Sequence, residues 1–79
     1  AIYQRAAMKI TYDTDTDLLY VRFDPAPQPV TNVTLTDHIV LDLGVDDKIV
    51  GLEILDASEV VNLATLLPVE TEQITARAA

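Results

Sequence analysis

Apolar and polar residues alternate with a period of two over much of the chain between Met8 and Leu55. Met8, Ile10 and Tyr12 share one side of a run that ends in Asp13-Thr-Asp-Thr-Asp17. From Leu18 to Asp24 the alternation resumes, with Leu19, Val21 and Phe23 together and Leu18, Tyr20, Arg22 and Asp24 opposite. Two β-rich runs around a short Asp/Thr turn predict a hairpin. Setting Tyr12 against Leu19 and Ile10 against Val21 brings every large apolar side chain to one face.

The next segment, Asp24-Pro-Ala-Pro-Gln-Pro-Val30, has three prolines in five residues. Prolines donate no ladder hydrogen bond and hold the chain extended, so it reads as a stiff connection rather than a proline-rich ligand. Thr31 to Leu35 predicts a third strand with Val33 and Leu35 inward, and Thr36-Asp37 a turn. Ile39, Leu41 and Leu43 form the inward row of a fourth strand, and Val50, Leu52 and Ile54 that of a fifth, Ile49 to Leu55. One register pairs Leu43 with Val50, Leu41 with Leu52 and Ile39 with Ile54, whereas a one-residue slip turns the row outward. The outward face then carries Val40, Asp42, Gly51 and Glu53, with Ile49 and Leu55 beside them.

Asp56-Ala-Ser-Glu59 fits a capping box, with Leu55 and Val60 as its hydrophobic staple. A helix is predicted from Ala57 to about Leu67, stopped by Pro68, with Ala57, Val60, Val61, Ala64 and Leu67 as its inward stripe. Leu63 and Leu66 widen that stripe beyond what one small sheet needs. The expected fold is α+β: a small antiparallel meander of about five strands with one C-terminal helix packed on one face. Residues 8–68 read as a single domain, residues 1–7 as a remnant or misplaced start ahead of Met8, and residues 69–79 as a weakly ordered tail.

Composition sharpens this picture. Of 79 residues, 49% are hydrophobic and none is cysteine, so neither disulfides nor thiolate metal sites support the fold. A domain this small cannot bury so much apolar surface alone, which predicts a homo-oligomer, a dimer first, or another protein partner. Tyr20, Val40, Ile49, Gly51, Leu63 and Leu66 are the expected interface positions. The net charge of −8 argues against direct binding of nucleic acid and suits solubility or a basic protein partner. No apolar run reaches the length of a membrane span and no secretory leader is visible, so the expected location is cytoplasmic.

Met8-Lys-Ile-Thr-Tyr-Asp13, Asp17-Leu-Leu-Tyr20, and Asp42 through Gly51-Leu-Glu-Ile-Leu-Asp-Ala-Ser58 resemble the small prokaryotic proteins grouped as "domain of unknown function 2283". The resemblance implies a compact strand-rich domain with a helix after the last strand, and no activity. Asp47-Lys48 stands where that family commonly has glycine near the tip of the last hairpin, which bears on the turn type.

Four constellations carry candidate chemistry. Asp13-Thr-Asp-Thr-Asp17 has the look of half a calcium loop, but Leu18 holds the position where such a loop needs glycine, so it reads as a turn whose aspartates bind local amides. His38 and Ser58 are the only histidine and the only serine, hence the sole pair for a small hydrolase. The register sets His38 opposite Leu55, near Asp56 and a helix start, but no nucleophile-elbow pattern surrounds Ser58. Asp42 and Glu53, with Asp24 and Asp37 nearby, are the candidate metal-binding carboxylates, with Arg22 on the same face to neutralise them. Gly51, inside a strand, marks a bulge or a close approach, for which a packed Tyr20 ring is the candidate. No cofactor is implied. The reading is a non-enzymatic self-associating or interaction module. The alternatives are an antitoxin-like partner of a basic protein, or a small hydrolase or metal-dependent enzyme built on His38, Ser58 or the surface carboxylates.

Overall fold

The computed structural model describes residues 7–67 and 70–72. The tail expected over residues 69–79 and the leader over 1–7 lie almost entirely outside the described residues. Five antiparallel strands form one sheet: β1 (Lys9–Asp13), β2 (Leu18–Arg22), β3 (Thr31–Thr34), β4 (Ile39–Leu43) and β5 (Ile49–Ile54). A four-residue helix, α1 (Ala57–Val60), and a 3-10 turn, Leu63–Thr65, follow.

The strand order is β1-β2-β5-β4-β3, which departs from the expected meander. A β1–β2 hairpin and a β3-β4-β5 meander are joined by β2 pairing with β5, setting Leu19 against Ile54 and Val21 against Leu52. The strand with the strongest apolar row therefore takes the centre, while the short, polar Thr31–Thr34 takes an edge. The segment between β2 and β3 must pass three strand spacings, about 14 Å. Its prolines keep it extended, and Arg22 holds it in place by donating from Nε to Asp24 O (2.8 Å) and from Nη2 to Ala26 O (3.2 Å). Gln28 closes the loop by donating to the Asp24 carboxylate at 3.1 Å. Arg22 is thus committed to the loop backbone.

The β1–β2 register is the expected one, Tyr12 with Leu19 and Ile10 with Val21. Between β4 and β5, Ile39 meets Ile54 and Leu41 meets Leu52 as expected, but Leu43 meets Ile49 rather than Val50 because a bulge intervenes. An extra residue in a bulged strand escapes the ladder. Here the carbonyl of Val50 accepts from Phe23 N (2.8 Å) and Asp24 N (3.2 Å), and its side chain is buried beside Gly44.

With side chains alternating across a strand, this register sorts the sheet into two unlike faces. One face carries Ile10, Val21, Leu52, Leu41 and Val33 in a row across all five strands, beside a second row of Tyr12, Leu19, Ile54 and Ile39. The other carries Lys9, Arg22, Gly51, Asp42 and Asn32, and beside them Thr11, Tyr20, Glu53, Val40 and Thr34. The core is thin: Leu19, Ile54 and Ala57 cluster as its buried centre, with Ile10, Leu52, Val61, Leu63 and Leu66 packed against it.

The expected helix to Leu67 is broken after Val60. Val61 takes an extended conformation (φ −127, ψ 157), and Asn62 starts the 3-10 turn by accepting the Ala64 amide at 3.0 Å. Adjacent β-branched Val60-Val61 and a capping Asn are poor helix propagators. The break rotates the stripe, so Leu63 and Leu66 pack on the core while Val60 and Leu67 are exposed. The width that Leu63 and Leu66 add to the apolar stripe is used inside the chain.

Among the described residues, four other than glycine have left-handed backbone, and all are aspartates: Asp17, Asp46, Asp47 and Asp56. Asp tolerates this region better than most residues, which lets Asp46-Asp47 hold the left-handed positions of the last hairpin turn that glycine would otherwise take. Gly51 is needed for space rather than conformation. A Cβ there would overlap the Tyr20 hydroxyl and lie 2.6 Å from Cζ of its ring. Gly51→Ala is expected to cost about 1–3 kcal/mol, the usual range for overpacking, in denaturant unfolding. In a Tyr20→Ala background the added cost should largely vanish, and an undiminished cost would contradict the ring-over-glycine packing.

Candidate functional site

Two clusters of polar side chains stand out, one at the end of the sheet beside α1 and one on the outward face. The first is built around Asp17, the last residue of the β1–β2 turn. Its left-handed backbone (φ 56) directs the chain back into β2. Its carbonyl accepts the Ala57 amide at 2.9 Å, Oδ1 accepts the Ser58 amide at 3.0 Å, and Oδ2 accepts the Ser58 hydroxyl at 2.6 Å. The Tyr12 hydroxyl donates to Oδ1 at 2.6 Å. Asp17 therefore caps α1 from 41 positions away in sequence.

This replaces the expected capping box. Asp56 is left-handed (φ 53) and its side chain makes no cap bond. Asp13 does what turn aspartates were expected to do, accepting the Asp15 amide at 2.9 Å. The signal for Asp17 was present, since Tyr12 and Asp17 flank the same turn, but its partner could not be read from local spacing.

His38 lies where the register set it. Its carbonyl accepts the Leu55 amide at 2.8 Å, and Nδ1 sits 3.2 Å from Leu55 O and 3.4 Å from Asp56 Oδ2. Ser58 gives its hydroxyl proton to Asp17, and no hydrogen bond joins it to His38 among the described residues. The two candidates for a hydrolase are placed at the same end of the sheet with separate partners.

On the outward face, Asp42 is the one buried polar residue among the described residues. It accepts from the Tyr20 hydroxyl at 3.0 Å and from the Asn32 side-chain amide. Glu53 lies diagonal to it across β4 and β5 on the same face. Burial first, and then the neighbouring Asp42 carboxylate, push the Glu53 carboxyl above its ordinary range. Burial and the Asp42 bond also raise the Tyr20 phenol. No group of three or more His, Asp or Glu side chains is arranged to hold a metal ion among the described residues, and Asp24 is engaged by Ala26 and Gln28 in the loop. Tyr20 and Val40 are half-buried, Ile49 is half-exposed, and Gly51 is buried under Tyr20.

These features define a small strand-rich domain: a five-stranded antiparallel sheet, apolar on one face and hydrogen-bonded on the other, with a short helix after the last strand. The chain belongs to the family described as "Protein of unknown function (DUF2283)", whose pattern matches residues 9–58. No curated protein and no solved structure shows significant similarity to it. Among the described residues, no helix is long and apolar enough to cross a membrane.

The two clusters titrate with opposite sign. The Ser58 hydroxyl, then the Tyr12 hydroxyl and the Ser58 amide, hold the Asp17 carboxyl below its ordinary range. A depressed folded-state pKa gives stability that is present above the unfolded pKa and lost as pH falls through the folded one. Asp17→Asn should thus lower the melting temperature at neutral pH and converge on the wild type as acid protonates the Asp17 carboxyl. Glu53 is raised, so its contribution is present below the unfolded pKa and lost as pH rises through the folded one. Glu53→Gln should raise stability at neutral pH, by about 0.2–1 kcal/mol if the gain is relief of a like-charge cross-strand pair. Melting curves across pH check both, and differences from wild type that do not vary with pH would contradict both assignments.

Proposed function

We propose that this chain is a self-associating assembly module that buries the exposed part of its apolar sheet face against a second copy of itself. The observation that carries this reading is the row Ile10, Val21, Leu52, Leu41 and Val33. It crosses every strand, yet each member is only half-buried. At its margins Met8, Phe23 and Leu35 are 47, 46 and 55% exposed. A one-sided antiparallel sheet needs a second layer over its apolar face, and the segment after β5 packs on the cluster centred on Leu19 and Ile54, whose flank Ile10 and Leu52 also join while staying half-buried.

Charge distribution favours a second copy as the occupant. The ionisable strand residues Lys9, Arg22, Asp42 and Glu53 lie on the opposite face. Two acidic chains packed with their apolar faces together therefore keep these charges outside and apart. Such a pair is isologous and closes after two copies, and packed sheets lie about 10 Å apart. This reading moves the contact from Tyr20, Val40 and Gly51, which are tied into the hydrogen-bonded face, to the face opposite them.

Size-exclusion chromatography with light scattering tests it. The expected species has twice the 8.7 kDa mass of one chain. Phe23→Asp, at an exposed position on the apolar face, should yield a folded monomer, while Thr34→Asp on the other face should leave the pair intact. A monomeric wild type, or a Phe23→Asp variant that still pairs, overturns the proposal.

A further inference from the structure

The segment from Ala57 to Leu67 is attached to the sheet in an unusual way. Its own backbone bonds are local: Glu59 to Asp56, Val61 to Ala57, Thr65 to Asn62 and Leu66 to Leu63. The Asn62 side chain and the Thr65 hydroxyl also bond only within it. Among the described residues, every hydrogen bond from this segment to the sheet and its turns ends on one residue, Asp17, through Ala57 N, Ser58 N and Ser58 Oγ. The rest of its hold is apolar, through Ala57, Val61, Leu63 and Leu66 on Leu19 and Ile54. A four-residue helix with an irregular continuation has little stability of its own.

We infer that residues 57–67 form a releasable strap, clasped by Asp17, which limits how much of the apolar face a second copy can cover. Closed, the strap packs on Leu19 and Ile54 and leaves the neighbouring row of Ile10, Val21, Leu52, Leu41 and Val33 half-buried for pairing. Open, Leu19 and Ile54 join the neighbouring row in one continuous apolar surface, because the strap residues Ala57, Val61, Leu63 and Leu66 pack on them. Elements joined to a fold by few bonds open at lower free energy than the sheet they cover. Tyr12 holds the clasp residue from the sheet side, so Asp17 stays in place when the strap leaves. The gating of association rests on the self-pairing proposed above, whereas the release of the strap does not.

Hydrogen exchange read by mass spectrometry on the full chain, together with light scattering across a dilution series, separates the two. In the wild type, amides of 57–66 should exchange faster than those of β2 and β5. Asp17→Asn should accelerate them by roughly tenfold more, the scale of a lost charge-assisted hydrogen bond, while leaving β2 and β5 unchanged. Ser58→Ala, which removes only the hydroxyl, should act in the same direction with a smaller effect and covers the case in which Asp17→Asn fails to fold. Both variants should associate more tightly than the wild type. Strap and sheet amides accelerating together, or strap amides unaffected by either variant, overturns the strap. Faster strap exchange with unchanged association overturns the gating alone, and if no variant associates at all the self-pairing reading fails while the exchange result still stands.

Discussion

A sheet with one apolar face and one polar face cannot stand alone, and the rest of this structure follows from how that face is covered. The register leaves no choice about which face it is, because Ile10, Val21, Leu52, Leu41 and Val33 align across all five strands. The chain covers Leu19 and Ile54 in the neighbouring row with a short segment, and one carboxylate fastens it. Asp17 is therefore a joint between the first hairpin and the last element, and its bonds to Tyr12 and Ser58 set the local geometry at both.

The polar face solves a different problem. Asp42 is buried with one carboxylate oxygen accepting from Tyr20 and the other from Asn32. A buried carboxylate is tolerable only when its lone pairs are met. The Tyr20 ring reaches it by lying over Gly51, so the glycine, the tyrosine and the carboxylate act as one unit. This ties Asp42, Gly51 and Tyr20 into one unit that, with Asn32, links β2, β3, β4 and β5.

Much of this was legible in the alternation. Period-two patterning assigned faces and fixed the Ile10–Val21, Tyr12–Leu19, Leu41–Leu52 and Ile39–Ile54 pairs, and it placed Tyr20 over Gly51 and His38 beside Leu55. What alternation does not encode is which strand neighbours which, so the β2–β5 join was missed. The bulge at Val50 was missed for a related reason, since it depends on Phe23 and Asp24 claiming a carbonyl from outside the hairpin. The helix was overextended because the apolar spacing of residues 57–67 suits either a helix or a kinked strap, and Asn62 decides it. The Asp56 cap fitted every local rule and lost to Asp17, whose claim depends on tertiary contact.

The central claim is that the row from Ile10 to Val33 faces another copy of the chain. Methyl resonances of Ile10, Val21, Val33, Leu41 and Leu52, measured with a soluble paramagnetic probe, report on it directly. The account predicts that these methyls are shielded from the probe in concentrated solution and become exposed together on dilution. Methyls that the probe broadens equally at every concentration would contradict it.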